Sequence, residues 1–162
     1  MTSIPRVVDQ GTGAPIGLGD AAPKLGDAFS HMASVARHEA KVDIVTRELV
    51  RIYSGQLAHC TICRNMRVQT AVDRGLSEDV VAKLSDFEHS DLSDRHKAAV
   101  RYAHAFLVDP RSFDEAAQAE LQRHFRPDQI AELTLDLVRL RPGSKMVVAT
   151  GTEPASDDLI FV

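Results

Sequence analysis

The chain has 162 residues and a formal net charge of −4, with 44% hydrophobic and 26% charged residues. That length suits one domain with a real core rather than two, and the acidic balance gives no reason to expect nucleic acid or an anionic membrane as a partner. No apolar run approaches the roughly 20 residues of a membrane span. The first residues carry neither an apolar h-region nor a small-residue cleavage site, so the expected location is the cytoplasm, with no membrane partner.

Residues 1–26 hold five of the nine glycines and three of the seven prolines and show no strong period, which reads as an irregular N-terminal arm. Within it Gly11-Thr12-Gly13-Ala14-Pro15-Ile16-Gly17 mimics a phosphate loop. A dinucleotide fingerprint needs a preceding strand and a following helix, and Pro15 stands where that helix would begin.

From there the pattern is helical. The expected helices cover Phe29 to about Ala40, about Val42 to Ser54 with Ser54-Gly55 as the stop, and Cys60 to Gly75. Ser77 caps a short helix to Leu84, with Glu78 and Asp79 favourable in its first turn. Ser93 opens a longer one with Ala99, Tyr102, Ala103 and Phe106 on one face, ended by Asp109-Pro110. Asp114 to His124 forms the next helix. Pro127 starts the last strong one, with Ile130, Leu133, Leu137 and Leu140 on one stripe until Pro142-Gly143 breaks it, and a short helix over Ser144 to Thr150 follows. No strand pattern emerges, so the fold class is all-α, in one helical domain over residues 27–154. The apolar tail within 155–162, Leu159-Ile160-Phe161-Val162, packs either on its own domain or on a neighbouring subunit.

Chemistry concentrates in His59-Cys60-Thr61-Ile62-Cys63. In a reducing compartment two thiols three residues apart point to redox or metal chemistry more than to a structural crosslink. Spacing of three on a helix puts both sulfurs on one face, and free N–H groups at a helix start favour a thiolate. On one continuous helix Arg64 and Arg67 extend the same stripe, and their charge favours the thiolate again. Upstream, Ile44, Glu48 and Ile52 are spaced by four, which sets Glu48 on an apolar stripe. A carboxylate there needs a partner or a job. Either it pairs with Arg51 at i+3 or with an arginine of the next helix, or it serves the cysteines. His59 adjoins Cys60 but points about 100° away from it, and His104 flanks the apolar face of its own helix. Both are boundary histidines with a possible relay role. The remaining histidines read as surface residues. Zinc needs four ligands, and the sequence has neither a second CxxC nor a histidine pair at ligand spacing, so no metal and no cofactor is expected.

Glu48, eleven intervening residues, then Cys60-x-x-Cys63 resembles the core motif of the alkylhydroperoxidase D-like and carboxymuconolactone decarboxylase-like superfamily. Ser93-Asp-Arg-His-Lys-Ala-Ala-Val-Arg-Tyr-Ala-His-Ala, Phe125-Arg-Pro-Asp-Gln-Ile-Ala-Glu-Leu-Thr and Ala149-Thr-Gly-Thr-Glu-Pro resemble its later segments, so the likeness covers about residues 25 to 154. The resemblance implies a helical AhpD-like fold assembled as a homo-oligomer, a dimer, trimer or hexamer. It also implies thiol-dependent (alkyl)hydroperoxide reductase, peroxiredoxin-type antioxidant activity through a CxxC disulfide cycle. Cys63 would be peroxidatic, Cys60 resolving and Glu48 the anchor of a proton relay, with a lipoyl- or thioredoxin-type thiol reductant as partner. One position departs. Where the family carries a histidine four residues after the second cysteine, this chain has Arg67, which does not exchange a proton at neutral pH. Arg67 is instead expected to hold the thiolate by charge and pair with Glu48. The alternatives are a carboxymuconolactone-decarboxylase-like lyase, with Arg64 or Arg67 recruited to substrate, and a non-catalytic redox-sensing oligomer.

Overall fold

The computed structural model describes residues 7–14, 16–150 and 157–162. Among them nine α-helices follow in chain order: α1 Leu18–Ala21, α2 Pro23–His38, α3 Ile44–Leu57, α4 Thr61–Asn65, α5 Gln69–Val72, α6 Glu78–Ala82, α7 Asp94–Val108, α8 Glu115–His124 and α9 Pro127–Thr150. Short 3₁₀ turns occupy Lys83–Asp86 and Pro110–Ser112. Two two-residue strands, β1 Met66–Arg67 and β2 Ile160–Phe161, pair in parallel, Met66 with Ile160 and Arg67 with Phe161. The class is all-α.

The centre of the fold is α3. Asp43 caps it, accepting from the Thr46 amide at 2.9 Å and the Thr46 hydroxyl at 2.8 Å. Every residue from Glu48 to Gly55 is buried, so α3 has almost no wet face and must be surrounded. α4, α7 and α9 supply that surround. From α7 come Ala98, Ala99 and Ala103, small enough for close helix approach, and from α9 come Leu133, Leu137 and Leu140. Full burial of each of Leu49, Ile52, Leu133 and Leu137 contributes about 1.5–3 kcal/mol. Ser77, Ser93 and Asp114 cap α6, α7 and α8 through their side chains, as their sequence positions lead one to expect.

Three elements differ from the sequence-based expectation. The arm is partly helical, since α1 and the start of α2 fall within residues 1–26, and Pro23 occupies a first-turn position where its missing N–H costs nothing. In the glycine-rich stretch Asp9 accepts from the amides of Gly11 and Thr12 and from the Thr12 hydroxyl, so the turn is closed on its own carboxylate; Pro15 lies outside the described residues.

The expected helix from Cys60 to Gly75 is broken into α4, β1 and α5. Arg51 donates to the carbonyls of Cys63 and Met66, acceptors that a continuing helix would use for its own amides. The last helix runs unbroken through Pro142 to Thr150. A proline removes one ladder hydrogen bond, but tertiary contacts hold the turns beyond it. Ser144 is buried against Cys63, and Gly143 lies beside the Phe29 ring. The tail folds on its own chain. Beyond the β1–β2 pairing, the Gln69 amide donates to Val162 at 2.8 Å and Asp157 binds Arg64 at 2.7 Å. Residues 151–154 of the family-like C-terminal segment lie outside the described residues. No helix among the described residues is long and apolar enough to cross a membrane.

Candidate functional site

α3 carries the chain straight into the cysteine segment. After Leu57 the backbone turns at His59, whose φ of 53° is left-handed, a conformation that favours glycine and tolerates histidine better than most residues. Cys60 is the N-cap of α4, and its sulfur accepts from the Cys63 amide at 3.4 Å. α4 has only five residues, so the thiols gain little of a long helix's macrodipole.

Gly55 sets how closely α4 approaches α3. A Cβ on residue 55 would sit 2.7 Å from the Cys63 Cβ, 2.8 Å from its carbonyl carbon and 2.9 Å from the Arg64 amide nitrogen. Gly55 was expected to stop the helix, yet α3 continues through it to Leu57. Its use is contact, not termination.

The two cysteines are reduced thiols and differ in exposure. Cys60 is 0% exposed, whereas Cys63 is partly exposed and lines a cavity of about 270 Å³ bounded by α2, α3, β1, α9 and the tail. The 3%-exposed Ser144 donates its hydroxyl hydrogen to the Cys63 sulfur at 3.2 Å. Ser144 was not singled out in the sequence. It stands 81 residues from Cys63 and after an expected helix break, so no local pattern connects the two.

Glu48 is 4% exposed and bound to Arg51 through both oxygens: Arg51 Nε to Oε1 and Nη2 to Oε2, each at 2.8 Å. Of the alternatives open from sequence, the geometry is that of the i+3 pair. Arg51 then extends the pair to the cysteine segment, donating through Nη1 to the Cys63 carbonyl at 2.6 Å and through Nη2 to the Met66 carbonyl. The Val68 amide adds a longer bond to Glu48 at 3.4 Å. Glu48 and Arg51 thus form a buried clamp on the backbone around Cys63. Sequence spacing named Arg51 as the i+3 partner of Glu48; its reach to the Cys63 and Met66 carbonyls is what spacing did not show, because that contact depends on where the chain goes after α3.

Arg67 is not at this clamp. It is 3% exposed, and its Nε and Nη2 bind the two carboxylate oxygens of Glu78 at 2.7 and 2.8 Å, while Nη1 donates to the carbonyls of Arg64 and Met66. The expected Arg67–Glu48 pair is absent because extended β1 turns Arg67 away from α3. These bonds hold the Glu78 carboxyl below its ordinary value of 4.5, against a smaller opposing effect of burial. Arg64 likewise points to the tail, binding Asp157 at 2.7 Å.

The structure does not bring the two candidate histidines to Cys63. His59 is exposed at the turn before Cys60. His104 Nδ1 lies 2.7 Å from the Tyr53 hydroxyl, on a different cavity formed with α8. Burial, with the nearby Glu88 charge, raises the Tyr53 phenol above its usual value. Among the described residues no group of three histidine, cysteine or carboxylate side chains is placed to hold a metal.

The comparisons bear on the fold. No protein-family profile matches the chain. It is 35% identical over 123 residues to the uncharacterised protein Rv2313c of Mycobacterium tuberculosis, covering 75% of this chain and 43% of that one. It is 31% identical over 99 residues to the uncharacterised protein YnjA of Escherichia coli, covering 60% and 54%. The chain thus spans about half the length of these relatives. A protein of unknown function from Agrobacterium tumefaciens, with a suggested assignment to antioxidant defence as AhpD, superposes with a TM-score of 0.76 at 17% identity, over 87% of this chain and 98% of that one. The debrominase Bmp8 superposes at 0.70 and 17% identity, over 85% and 74%. A peroxidase-related protein with an alkylhydroperoxidase AhpD core, from Ralstonia eutropha, superposes at 0.69 and 13% identity, over 86% and 75%. These likenesses, together with the helical order around the cysteine pair, show that the chain has the AhpD-like fold.

Proposed function

We propose that the chain is a thiol-dependent hydroperoxide reductase in which Cys63 attacks and Cys60 resolves. The observation that carries this reading is the asymmetry of the pair. Cys63 opens on the cavity and accepts a hydrogen bond from Ser144, while Cys60 is sealed one turn behind it. The fold alone does not choose the chemistry, because its neighbours include a debrominase as well as a peroxidase-related protein.

In the first step the Cys63 thiolate attacks the distal oxygen of the hydroperoxide and forms an S–O bond to it. The O–O bond breaks, Cys63 becomes a sulfenic acid, and the alkoxide leaves with a proton drawn from solvent. The Cys60 thiol then attacks the Cys63 sulfur, forming the disulfide and releasing water. A dithiol reductant of lipoyl or thioredoxin type restores both thiols and is itself oxidised to a disulfide. Cys60 is within reach because it caps the turn that carries Cys63. Glu48 holds this geometry through Arg51 instead of passing a proton, since both its oxygens already accept from the guanidinium. Ser144 keeps the Cys63 sulfur oriented and supplies the hydrogen bond that a thiolate accepts. Assembly as a homo-oligomer belongs to the same proposal. Leu25 of α2 and Leu135 of α9 stand largely exposed, and light scattering measures the assembly directly.

Trapping the intermediate tests the roles. Cys60→Ser treated with one equivalent of cumene hydroperoxide is expected to take a dimedone label at Cys63, and Cys63→Ser no label at Cys60. Labelling of Cys60, or of neither thiol, contradicts the assignment.

A further inference from the structure

The cavity on which Cys63 opens carries an excess of positive charge. Four guanidinium side chains, Arg37, Arg47, Arg51 and Arg139, line it against two carboxylate side chains, Glu48 and Asp136, and with the terminal carboxylate of Val162 counted as a third anion the cations still outnumber the anions. The pairing within it is uneven. Glu48 is fully engaged by Arg51. Asp136, mostly buried, is shared by two guanidiniums, with Arg47 at 3.5 Å from Oδ2 and Arg139 at 2.7 Å from Oδ1. Both bonds of Arg139 go to that one oxygen through Nε and Nη2, which leaves Nη1 uncommitted among the described residues. Arg37, at the rim, makes no ion pair among the described residues.

Charge left over in a largely apolar enclosure is costly unless an opposite charge joins it. A guanidinium with a free fork is the group best matched to a carboxylate. The remaining walls, among them Ile44, Leu140 and Val147, are apolar, and about 270 Å³ is small for a ligand cavity.

We propose that this cavity selects compact organic anions, and that the substrate is the hydroperoxide of a small organic acid, its apolar body against α3 and α9 and its carboxylate toward Arg139 and Arg37. The reaction on such a molecule rests on the hydroperoxide reading above; the charge selection of the cavity does not.

Two alkylating agents of nearly equal size and opposite demand separate the claims. Iodoacetate is an anion and iodoacetamide is neutral, and peptide mapping reads the rate of each at Cys63 in the reduced full chain. At low ionic strength the iodoacetate-to-iodoacetamide rate ratio at Cys63 is expected to exceed that of free glutathione by about tenfold, as cations near the sulfur favour the anion. It is expected to fall several-fold in roughly 0.5 M salt and in Arg139→Gln. The salt series uses the unmodified chain, so the result does not depend on that variant folding. A ratio no higher than that of glutathione, or one insensitive to salt, overturns the proposal. If the preference holds while no hydroperoxide oxidises Cys63, the anion site stands and the peroxidase reading fails. If Cys63 is oxidised by hydroperoxides with no anion preference, the reverse is true.

Discussion

Gly55 and Cys63 are packed so closely that a single methyl group on residue 55 would lie 2.7 Å from the Cys63 Cβ. In an exposed helix a glycine-to-alanine change stabilises by about 1 kcal/mol. Here the other atoms met are the Cys63 carbonyl carbon and the Arg64 amide, backbone that cannot rotate away. Overpacking of this kind costs about 1–3 kcal/mol, so the clash wins. Gly55→Ala is expected to lower the denaturant midpoint and to slow Cys63 alkylation together. A more stable protein with unchanged thiol reactivity would show that α4 does not depend on this contact.

The Glu48–Arg51 clamp makes a different prediction. Removing Arg51 leaves a 4%-exposed carboxylate without its cation, takes the guanidinium from the Cys63 carbonyl, and leaves the Met66 carbonyl to Arg67. Arg51→Met is expected to cost about 3–5 kcal/mol in chemical denaturation. Glu48→Met with Arg51→Met is expected to cost less than the two single changes summed. Additive losses would mean that the two residues do not act as a unit.

Ser144→Ala removes one hydrogen bond to the Cys63 sulfur and leaves a residue that helices accept readily. Stability is expected to change by less than about 1 kcal/mol, while the rate of Cys63 oxidation by hydroperoxide falls about tenfold, the worth of one hydrogen bond to a charged acceptor. An unchanged rate measured by stopped flow would assign Ser144 to packing alone.

Glu78 gives a pH dependence whose sign follows from its bonds to Arg67. Its carboxyl is held below 4.5 in the folded chain, so the contribution to stability is fully present above about pH 4.5 and is lost as pH falls toward the lowered value. Glu78→Gln is expected to cost about 1 kcal/mol at neutral pH: the buried Arg67 loses a charged acceptor, but the Glu78 side chain is 53% exposed and solvent screens the pair. The difference between the two proteins is expected to shrink below pH 4.5. A gap that stays constant through that range in thermal melts would contradict this.

Much of the scaffold was legible in the sequence because its signals are local. Caps at Ser77, Ser93 and Asp114 and the leucine stripe of α9 depend on residues three or four apart, and the helices formed where those signals lie. Two of the failures share one cause. Pro142 does not end α9, and the cysteine helix stops at Asn65, because bonds from distant residues decide both: Ser144 on Cys63 in one case, Arg51 on two carbonyls in the other. The site followed the same rule. Cys60, Cys63 and Glu48 were visible from spacing, but Arg67 was misdirected by assuming a continuous helix. The arginines gathered around Asp136 come from α3 and α9, elements whose juxtaposition no short pattern encodes.

The central claim is a disulfide cycle within one chain, and counting thiols tests it most directly. The reduced protein is titrated for free thiols before and after one equivalent of an organic hydroperoxide and then run on a non-reducing denaturing gel. The account predicts loss of both thiols of the chain with the protein still migrating as a single chain, and their return on adding a dithiol. Retention of both thiols, or their loss only into crosslinks between chains, would contradict it.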